Sequence, residues 1–249
     1  MNIEMDLGNL DKVLSVEKIK KSYGNLQALK GISFNVMQGE IFALIGPNGA
    51  GKTTMLRIIA TILSPDEGDA YIYGMSVRKE AEKIRNIISY LPGEAGAYKN
   101  MTGEDYLYFM ASIFASDKSS CERFVKTAVE IADLGDRLKN KVSTYSKGMT
   151  RKLLLARAVM TNPKLAILDE PTSGLDVLNA LEIRNTIKEF AKSGMTVLVS
   201  SHNMLEIEYL CDRVAIINKG EVLEIGTPHG LKTKYGAQNI EEVFAEVAK

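Results

Sequence analysis

Ile41-Phe42-Ala43-Leu44-Ile45-Gly46-Pro47-Asn48-Gly49-Ala50-Gly51-Lys52-Thr53-Thr54 runs from an uninterrupted apolar segment into a glycine-rich turn closed by a lysine and two threonines. Consecutive apolar residues without alternation describe a strand buried on both faces. Beyond the turn, Leu56, Ile59 and Leu63 recur at helical spacing, so a helix follows. Residues 46–53 fit G-x-x-x-x-G-K-[ST], placed between strand and helix as the mechanism of that motif requires. The glycines let backbone N–H groups turn toward one centre, where they and the helix N-terminus make a nest for phosphate oxygens. Lys52 adds a point charge for β- and γ-phosphates, and the Thr53 hydroxyl can ligate Mg²⁺. The motif implies a nucleoside triphosphate; it does not say what the energy is used for.

Working outward, Ile32, Phe34 and Val36 alternate, and Gln38-Gly39-Glu40 reads as a turn, so half-exposed strands precede the buried one. Downstream, Ser64-Pro65-Asp66-Glu67-Gly68 ends the first helix and opens a short strand over 70–73. Residues 102–162 read as helical throughout, with Thr102 three residues before Asp105 as a capping signal and Leu107, Met110, Ala111 and Phe114 on one face. This stretch is an insertion, because strand–helix alternation then resumes: a strand over 165–168, a helix over 178–193, and strands over 196–200 and 214–217. Residues 239–249 form a short amphipathic helix with Glu241 and Glu242 in its favourable first turn.

The first strand of this resumed alternation, over 165–168, is followed by Asp169-Glu170, two carboxylates at the edge where open α/β sheets bind ligands. Asp169 suits the Mg²⁺ shell, and Glu170 suits a base or positioner for an attacking water. An acidic pair after a strand can also do no more than cap the next helix. Upstream, Tyr145-Ser146-Lys147-Gly148-Met149 stands before a helical stretch, so Ser146 and the Gly148 amide form either an anion site or an ordinary serine cap.

Composition narrows the function further. The 249 residues carry 31 Lys plus Arg against 31 Asp plus Glu, so no net positive field draws the chain onto nucleic acid. Cys121 and Cys211 have no metal-type spacing and make no disulfide framework, which suits a reducing cytosol. The N-terminal stretch carries Glu4, Asp6 and Asp11 and no basic-then-apolar pattern, against a signal peptide. No apolar run approaches the roughly 18 residues a membrane span needs.

In order, the phosphate loop, the Ser146-centred segment, the Asp169-Glu170 strand end, Ser173-Gly174-Leu175-Asp176 and His202 resemble the nucleotide-binding domain of ABC transporters, from about Val13 to the end of the chain. The resemblance implies a P-loop NTPase of the α/β class: a RecA-like, mostly parallel core sheet with an N-terminal antiparallel β-subdomain over 13–92 and 163–226, an inserted α-helical subdomain over 93–162, and a helical tail over 227–249. It implies ATP and Mg²⁺ as cofactors, with residues 46–54 (Gly46, Pro47, Asn48, Gly49, Ala50, Gly51, Lys52, Thr53 and Thr54) around the phosphates, and Thr53 and Asp169 on the metal. Glu170 and His202 become catalytic, His202 on the γ-phosphate, and Tyr23 stacks on adenine. Ser146 and Gly148 contact the nucleotide held by the opposite protomer, and Asp176 serves communication between protomers. Each of the single residues has a plain alternative: Tyr23 as half-buried packing, Asp176 and His202 as helix caps.

The implied partners are a second ATPase subunit, identical or similar, and a multi-span membrane permease, with no nucleic acid. The implied location is cytoplasmic, on the inner face of the membrane through the permease. Two positions depart from the pattern. Gly93, followed by Glu94, stands where relatives commonly carry Gln or Glu, and Lys147 and Met149 replace the small and amide residues of the signature Leu-Ser-Gly-Gly-Gln. The Tyr-Ser-Lys-Gly-Met form is most like the separate ATPase subunits of exporters. The alternatives are a non-transport ATPase of the same family, such as one serving iron–sulfur cluster assembly, or an importer subunit. A small-molecule kinase or GTPase does not account for residues 146–149.

Overall fold

The computed structural model describes residues 12–249; the acidic residues on which the N-terminal expectation rests lie outside them. In chain order the elements are β1 (Lys12–Tyr23), β2 (Leu26–Met37), β3 (Ile41–Ile45), α1 (Lys52–Ile59), β4 (Glu67–Ile72), β5 (Met75–Ser76), α2 (Ala81–Arg85) and β6 (Ile88–Leu91). Then follow α3 (Gly103–Phe114), α4 (Lys118–Ala132), α5 (Lys147–Val159), β7 (Leu165–Asp169), α6 (Val177–Lys192) and β8 (Thr196–Ser201). The chain continues with α7 (Met204–Glu208), β9 (Arg213–Asn218), β10 (Glu221–Gly226), α8 (Pro228–Tyr235) and α9 (Ile240–Val247).

Among the described residues two sheets form. One is antiparallel, in the order β2-β1-β4-β5; the other is ordered β10-β9-β3-β8-β7-β6 and is parallel except for the β9–β10 pair. The decisive strand β3 lies inside the second sheet, and its side chains divide between two cores by simple alternation. Ile41, Ala43 and Ile45 join the apolar cluster formed with the helices α3 to α7, while Phe42 and Leu44 join the cluster built from the antiparallel sheet and α1. Both faces being covered is why this strand reads as a continuous apolar run.

The register of the parallel strands places the site. Asp169, the last residue of β7, pairs with Ser200 of β8, and Ile45, the last of β3, pairs with Ser201. The carboxyl ends of β3, β7 and β8, and with them the turns that follow, therefore meet along one edge of the sheet.

Four local details differ from the sequence reading. The insertion is not helical throughout: α4 ends at Ala132, where Asp133 takes a left-handed φ of 45°, and α5 begins only at Lys147. The helix after the phosphate loop ends at Ile59 rather than running through Leu63, because Thr61 takes a left-handed φ of 60°; Leu63 still packs against the core from outside the helix. β4 begins at Glu67, inside the expected turn, and stops before Tyr73. Pairing with β1 from Glu67↔Lys20 to Ile72↔Leu14 draws these residues into the sheet. There Gly68 has φ 77° and a Cβ would lie 2.4 Å from the Glu17 carbonyl, so the glycine marks a close backbone approach within a strand. The strand β10 was not anticipated. It follows β9 through the two-residue turn Lys219-Gly220, both at positive φ, the geometry of a tight hairpin.

An aromatic pair joins the two sheets, beside the Lys30 N–H bond to the Gly220 carbonyl at 2.8 Å. Phe34 of β2 stacks on Phe42 of β3 with ring centroids 5.3 Å apart, and the Arg213 guanidinium lies 5.2 Å from the Phe42 centroid. Arg213 also pairs with the buried Glu40 at 3.2 Å. Burial pushes the Glu40 carboxyl up from its ordinary range, while the Met37 N–H and Arg213 oppose the shift. Phe42→Ala removes the ring that Phe34 and Arg213 share, and a loss of about 3–5 kcal/mol is expected, read as a lowered urea midpoint with an unchanged slope.

Candidate functional site

Gly51 stands immediately before α1 at φ 106°, and no side chain caps that helix or places an acid in its first turn. Its leading N–H groups are therefore available to an external acceptor, the condition for anion binding at a helix start. Gly51 itself is obligatory, since a Cβ would meet the Ala28 carbonyl at 2.8 Å. Lys52 is buried, and its Nζ donates to the carbonyls of Gly46 at 2.8 Å and Pro47 at 3.1 Å and lies 3.5 Å from Glu170 Oε1. Burial pushes its pKa down, and the negative charges of Glu170 and Asp169 push it back.

Asp169 is only 3 % exposed, so it is no solvated strand end. It accepts from Ser200 Oγ at 2.5 Å and Thr53 Oγ1 at 3.2 Å through Oδ1, with the Tyr90 hydroxyl 3.5 Å from Oδ2. Burial, then the charge of Asp169, pushes the Tyr90 phenol up. Glu170 holds a left-handed φ of 49°, a conformation that costs a non-glycine residue of order 1–3 kcal/mol. Its N–H donates to Ser200 Oγ at 3.0 Å, and its carboxylate Oε2 lies 2.7 Å from His202 Nδ1. The cap of α7 is Asn203, so His202 is free of that role.

These residues open into one cleft of about 660 Å³, lined by residues 48–54 of the phosphate loop together with Tyr23, Asp169, Glu170 and His202. Tyr23 is 48 % exposed at the mouth rather than packed in the core. Gly93 and Glu94 also line the cleft. A side chain at 93 would meet the Asp169 carbonyl at an ordinary 3.4 Å, so space alone does not demand glycine there.

Ser146, Gly148 and Asp176 do not line the cleft of their own chain. Ser146 caps α5, accepting from Met149 N–H at 3.1 Å, and Asp176 caps α6, accepting from Asn179 N–H at 3.0 Å. Gly148 packs against Asn179: a Cβ would lie 2.1 Å from Asn179 Oδ1, so a larger residue would have to displace that side chain.

Two residues at the site escaped the sequence reading. Ser200 bridges the two carboxylate-bearing residues, as described. Arg151, on α5 just past Gly148 and 7 % exposed, donates from Nε to Pro171 O at 2.7 Å. Its Nη2 donates to Asp169 O at 3.1 Å and Glu170 O at 2.5 Å, and its Nη1 to Pro92 O at 3.3 Å and Gly93 O at 3.4 Å. Neither residue had a local motif to announce it; Arg151 shares its helix with Lys147, Lys152 and Arg157, so its charge alone does not set it apart.

The groups that could accompany a nucleotide are few. Among the described residues no cluster of three or more His, Cys, Asp or Glu could hold a metal by itself. The Thr53–Asp169 oxygen pair is a donor set that suits Mg²⁺, which keeps waters and takes phosphate oxygens for the rest of its shell.

The chain matches the ABC transporter family over residues 29–173. It is 37% identical over 228 residues to the linearmycin resistance ATP-binding protein LnrL of Bacillus subtilis (strain 168), covering 92% of this chain and 73% of that protein. It is 34% identical over 234 residues to the lantibiotic transport ATP-binding protein SrtF of Streptococcus pyogenes, covering 93% and 96%. Among solved structures, an ATP-binding cassette in a dimeric post-hydrolysis state with ADP and Pi superposes with a TM-score of 0.77 at 26% identity, over 86% of this chain and 98% of that one.

Arg151→Lys replaces a planar fork serving five carbonyls with a single ammonium. Expected outcomes are a loss of roughly 2–3 kcal/mol in chemical denaturation, the scale of hydrogen bonds made by charged groups, and a fall in ATP turnover larger than any change in nucleotide affinity, read by separate kcat and binding measurements.

Proposed function

The chain belongs to the ABC transporter family as an ATP-binding and ATP-hydrolysing subunit, and on that premise we propose that two such subunits close head to tail around two ATP molecules and drive a separate membrane permease, as an exporter. The observation that carries this reading is the single cleft in which Tyr23, Lys52, Thr53, Asp169, Glu170 and His202 converge.

Each residue has work that its surroundings favour. The uncapped start of α1 and Lys52 hold the β- and γ-phosphates. Tyr23, exposed at the mouth, offers a face for adenine stacking. Thr53 and Asp169 would hold Mg²⁺, which when bound neutralises charge on the phosphates. Glu170 Oε1 and Oε2 are engaged by Lys52 and His202, so the carboxylate is oriented to accept a proton from an attacking water, and His202 stands within reach of the same phosphate.

The second half of the site comes from the facing subunit. Ser146 and Gly148 lie away from their own cleft at the start of α5, where Ser146 and Lys147 are exposed and Gly148 is buried, and where backbone N–H groups and a hydroxyl suit a γ-phosphate presented from outside. Beside Asp176, Val177 and Leu178 are 79 % and 73 % exposed, an apolar step that a second subunit would cover. Because a γ-phosphate bridges the halves, its hydrolysis removes the contact that favours closure, which turns chemistry into motion.

The permease takes up that motion at the helical insertion. Tyr98, Tyr108, Phe109, Ile113 and Phe114 are all exposed there, and Tyr98 packs edge-on against Phe109. An apolar aromatic face of this kind suits a protein partner. No helix of the described residues is long and apolar enough to cross a membrane. The exporter assignment follows the resistance and lantibiotic-transport relatives.

Glu170→Gln keeps the shape of the side chain and removes its basicity. ATP affinity is expected to stay within about threefold while turnover falls by about 10²-fold or more, and the variant should run as a dimer in size-exclusion chromatography with saturating ATP and Mg²⁺. Normal turnover would remove Glu170 from the role of base, and a strictly monomeric variant would remove the head-to-tail closure.

A further inference from the structure

His202 stands between two elements of unequal rigidity. On its N-terminal side, β8 is held in register between β3 and β7 as far as Ser201. On its other side, α7 is a helix of five residues, too short to be stable on its own. The imidazole is exposed, so packing does not fix it, and its approach of 2.7 Å to Glu170 depends on where α7 holds the chain.

The near end of α7 is held by a carboxylate. The Glu206 N–H donates to the Asn203 side chain at 3.2 Å, inside the helix cap. Its Oε2 accepts from the Thr172 hydroxyl at 2.8 Å, and its Oε1 lies 3.6 Å from Arg184 Nη1 of α6. The turn after β7, α6 and α7 therefore meet at one side chain, which is 22 % exposed. The far end of α7 is held separately, where Glu208 pairs with Lys232 and accepts from the Ile240 N–H at 3.3 Å.

The bond to Thr172 closes a ring. Glu170, Pro171 and Thr172 run along one turn, the Thr172 hydroxyl reaches Glu206, the chain returns through Asn203 to His202, and His202 Nδ1 meets Glu170 Oε2. The ion pair with Arg184 by itself would be a minor brace. The hydrogen bond differs because Thr172 is two positions from Glu170, and the contact crosses 34 positions of sequence to reach it. Neither Thr172 nor Glu206 lines the nucleotide cleft, so neither is placed to touch the reacting atoms.

We propose that Glu206 is a positioning residue for hydrolysis, which by holding Thr172 fixes the His202 imidazole against Glu170. The proposal rests on the reading that Glu170 serves the attacking water and His202 the γ-phosphate. Without the tie, α7 and the turn after β7 move independently, and a small displacement of a reacting group is costly. The phosphate loop and Tyr23 are not supported by Glu206, so the cost falls on turnover rather than on nucleotide affinity.

The test is steady-state ATP hydrolysis and equilibrium ATP binding by the purified full-length chain with Mg²⁺. Glu206→Ala removes the tie from one end and Thr172→Val from the other with little change of shape. Each is expected to lower kcat about tenfold or more while ATP affinity stays within about threefold. Glu206→Gln is expected to recover most of the turnover, because its amide donates to the Thr172 hydroxyl oxygen while its carbonyl accepts from Arg184. In a His202→Ala background, itself slow, Glu206→Ala is expected to add less than about threefold, since both changes disable one arrangement. A merely structural brace would instead multiply its effect with that of His202→Ala. Wild-type kcat in either Glu206→Ala or Thr172→Val, no recovery in Glu206→Gln, or full multiplication in the double variant overturns the inference. Should Glu206→Ala fail to fold, Thr172→Val alone and in the His202→Ala background decides by the same two comparisons. Normal turnover of His202→Ala removes the reading that places His202 on the reaction, and the inference with it. A slow His202→Ala beside normal Glu206→Ala and Thr172→Val removes the inference alone.

Discussion

One guanidinium holds the edge of the nucleotide cleft together. Arg151 reaches from α5 to five carbonyls contributed by two separate turns, one after β6 and one after β7. Those carbonyls point into a region from which water is largely excluded, where an unpaired acceptor is costly. A planar cation with donors in a fixed fork satisfies them all at once, at the expense of burying a charge whose pKa burial alone would depress. The negative charges of Asp169 and Glu170 close by offset that expense, so the acidic strand end and the arginine stabilise one another.

From this contact the rest of the site follows by short steps. Arg151 fixes the peptide on either side of Glu170, which permits the left-handed backbone there. Ser200 completes the turn from the neighbouring strand, and it can do so only because Asp169 and Ser200 are register partners with side chains on one face. A slip of one residue between β7 and β8 would send Ser200 to the opposite core and leave the Glu170 N–H without its acceptor. In the other direction, the start of α5 packs through Gly148 against Asn179, whose amide donates to Asp176. The start of α5, the turn at Glu170 and the cap of α6 are thus links in one contiguous set of contacts.

The parts of this that were legible in the sequence are those whose chemistry is concentrated in neighbouring residues. The phosphate loop combines its strand, glycines, lysine and helix within a dozen or so positions, and the acidic pair stands at the end of an apolar run, so each could be read locally. Arg151 and Ser200 could not, because their partners are distant in the chain; the Arg151–Pro92 bond spans 59 residues. His202 was open between a helix cap and a site residue until Asn203 proved to be the cap and Glu170 the partner. In the fold, Glu67-Gly68 carried turn chemistry that pairing with β1 overrode, and the β9–β10 hairpin was missed although Lys219-Gly220 offers a turn signal, because only one positive-φ residue there is a glycine.

For Ser146 and Asp176 the plain reading and the functional one turn out not to compete. Ser146 Oγ uses an acceptor lone pair to cap α5, which leaves its hydroxyl hydrogen to donate elsewhere. The cap orients the group instead of consuming it. Lys147, where the familiar signature has a small residue, puts a cation in the first turn of α5, the end at which the helix dipole disfavours positive charge. That arrangement is unfavourable in an isolated subunit and becomes favourable when an anion is brought against the same turn. On the head-to-tail reading the anion is the triphosphate held by the facing subunit, so the departure at Lys147 sharpens the dependence of closure on ATP.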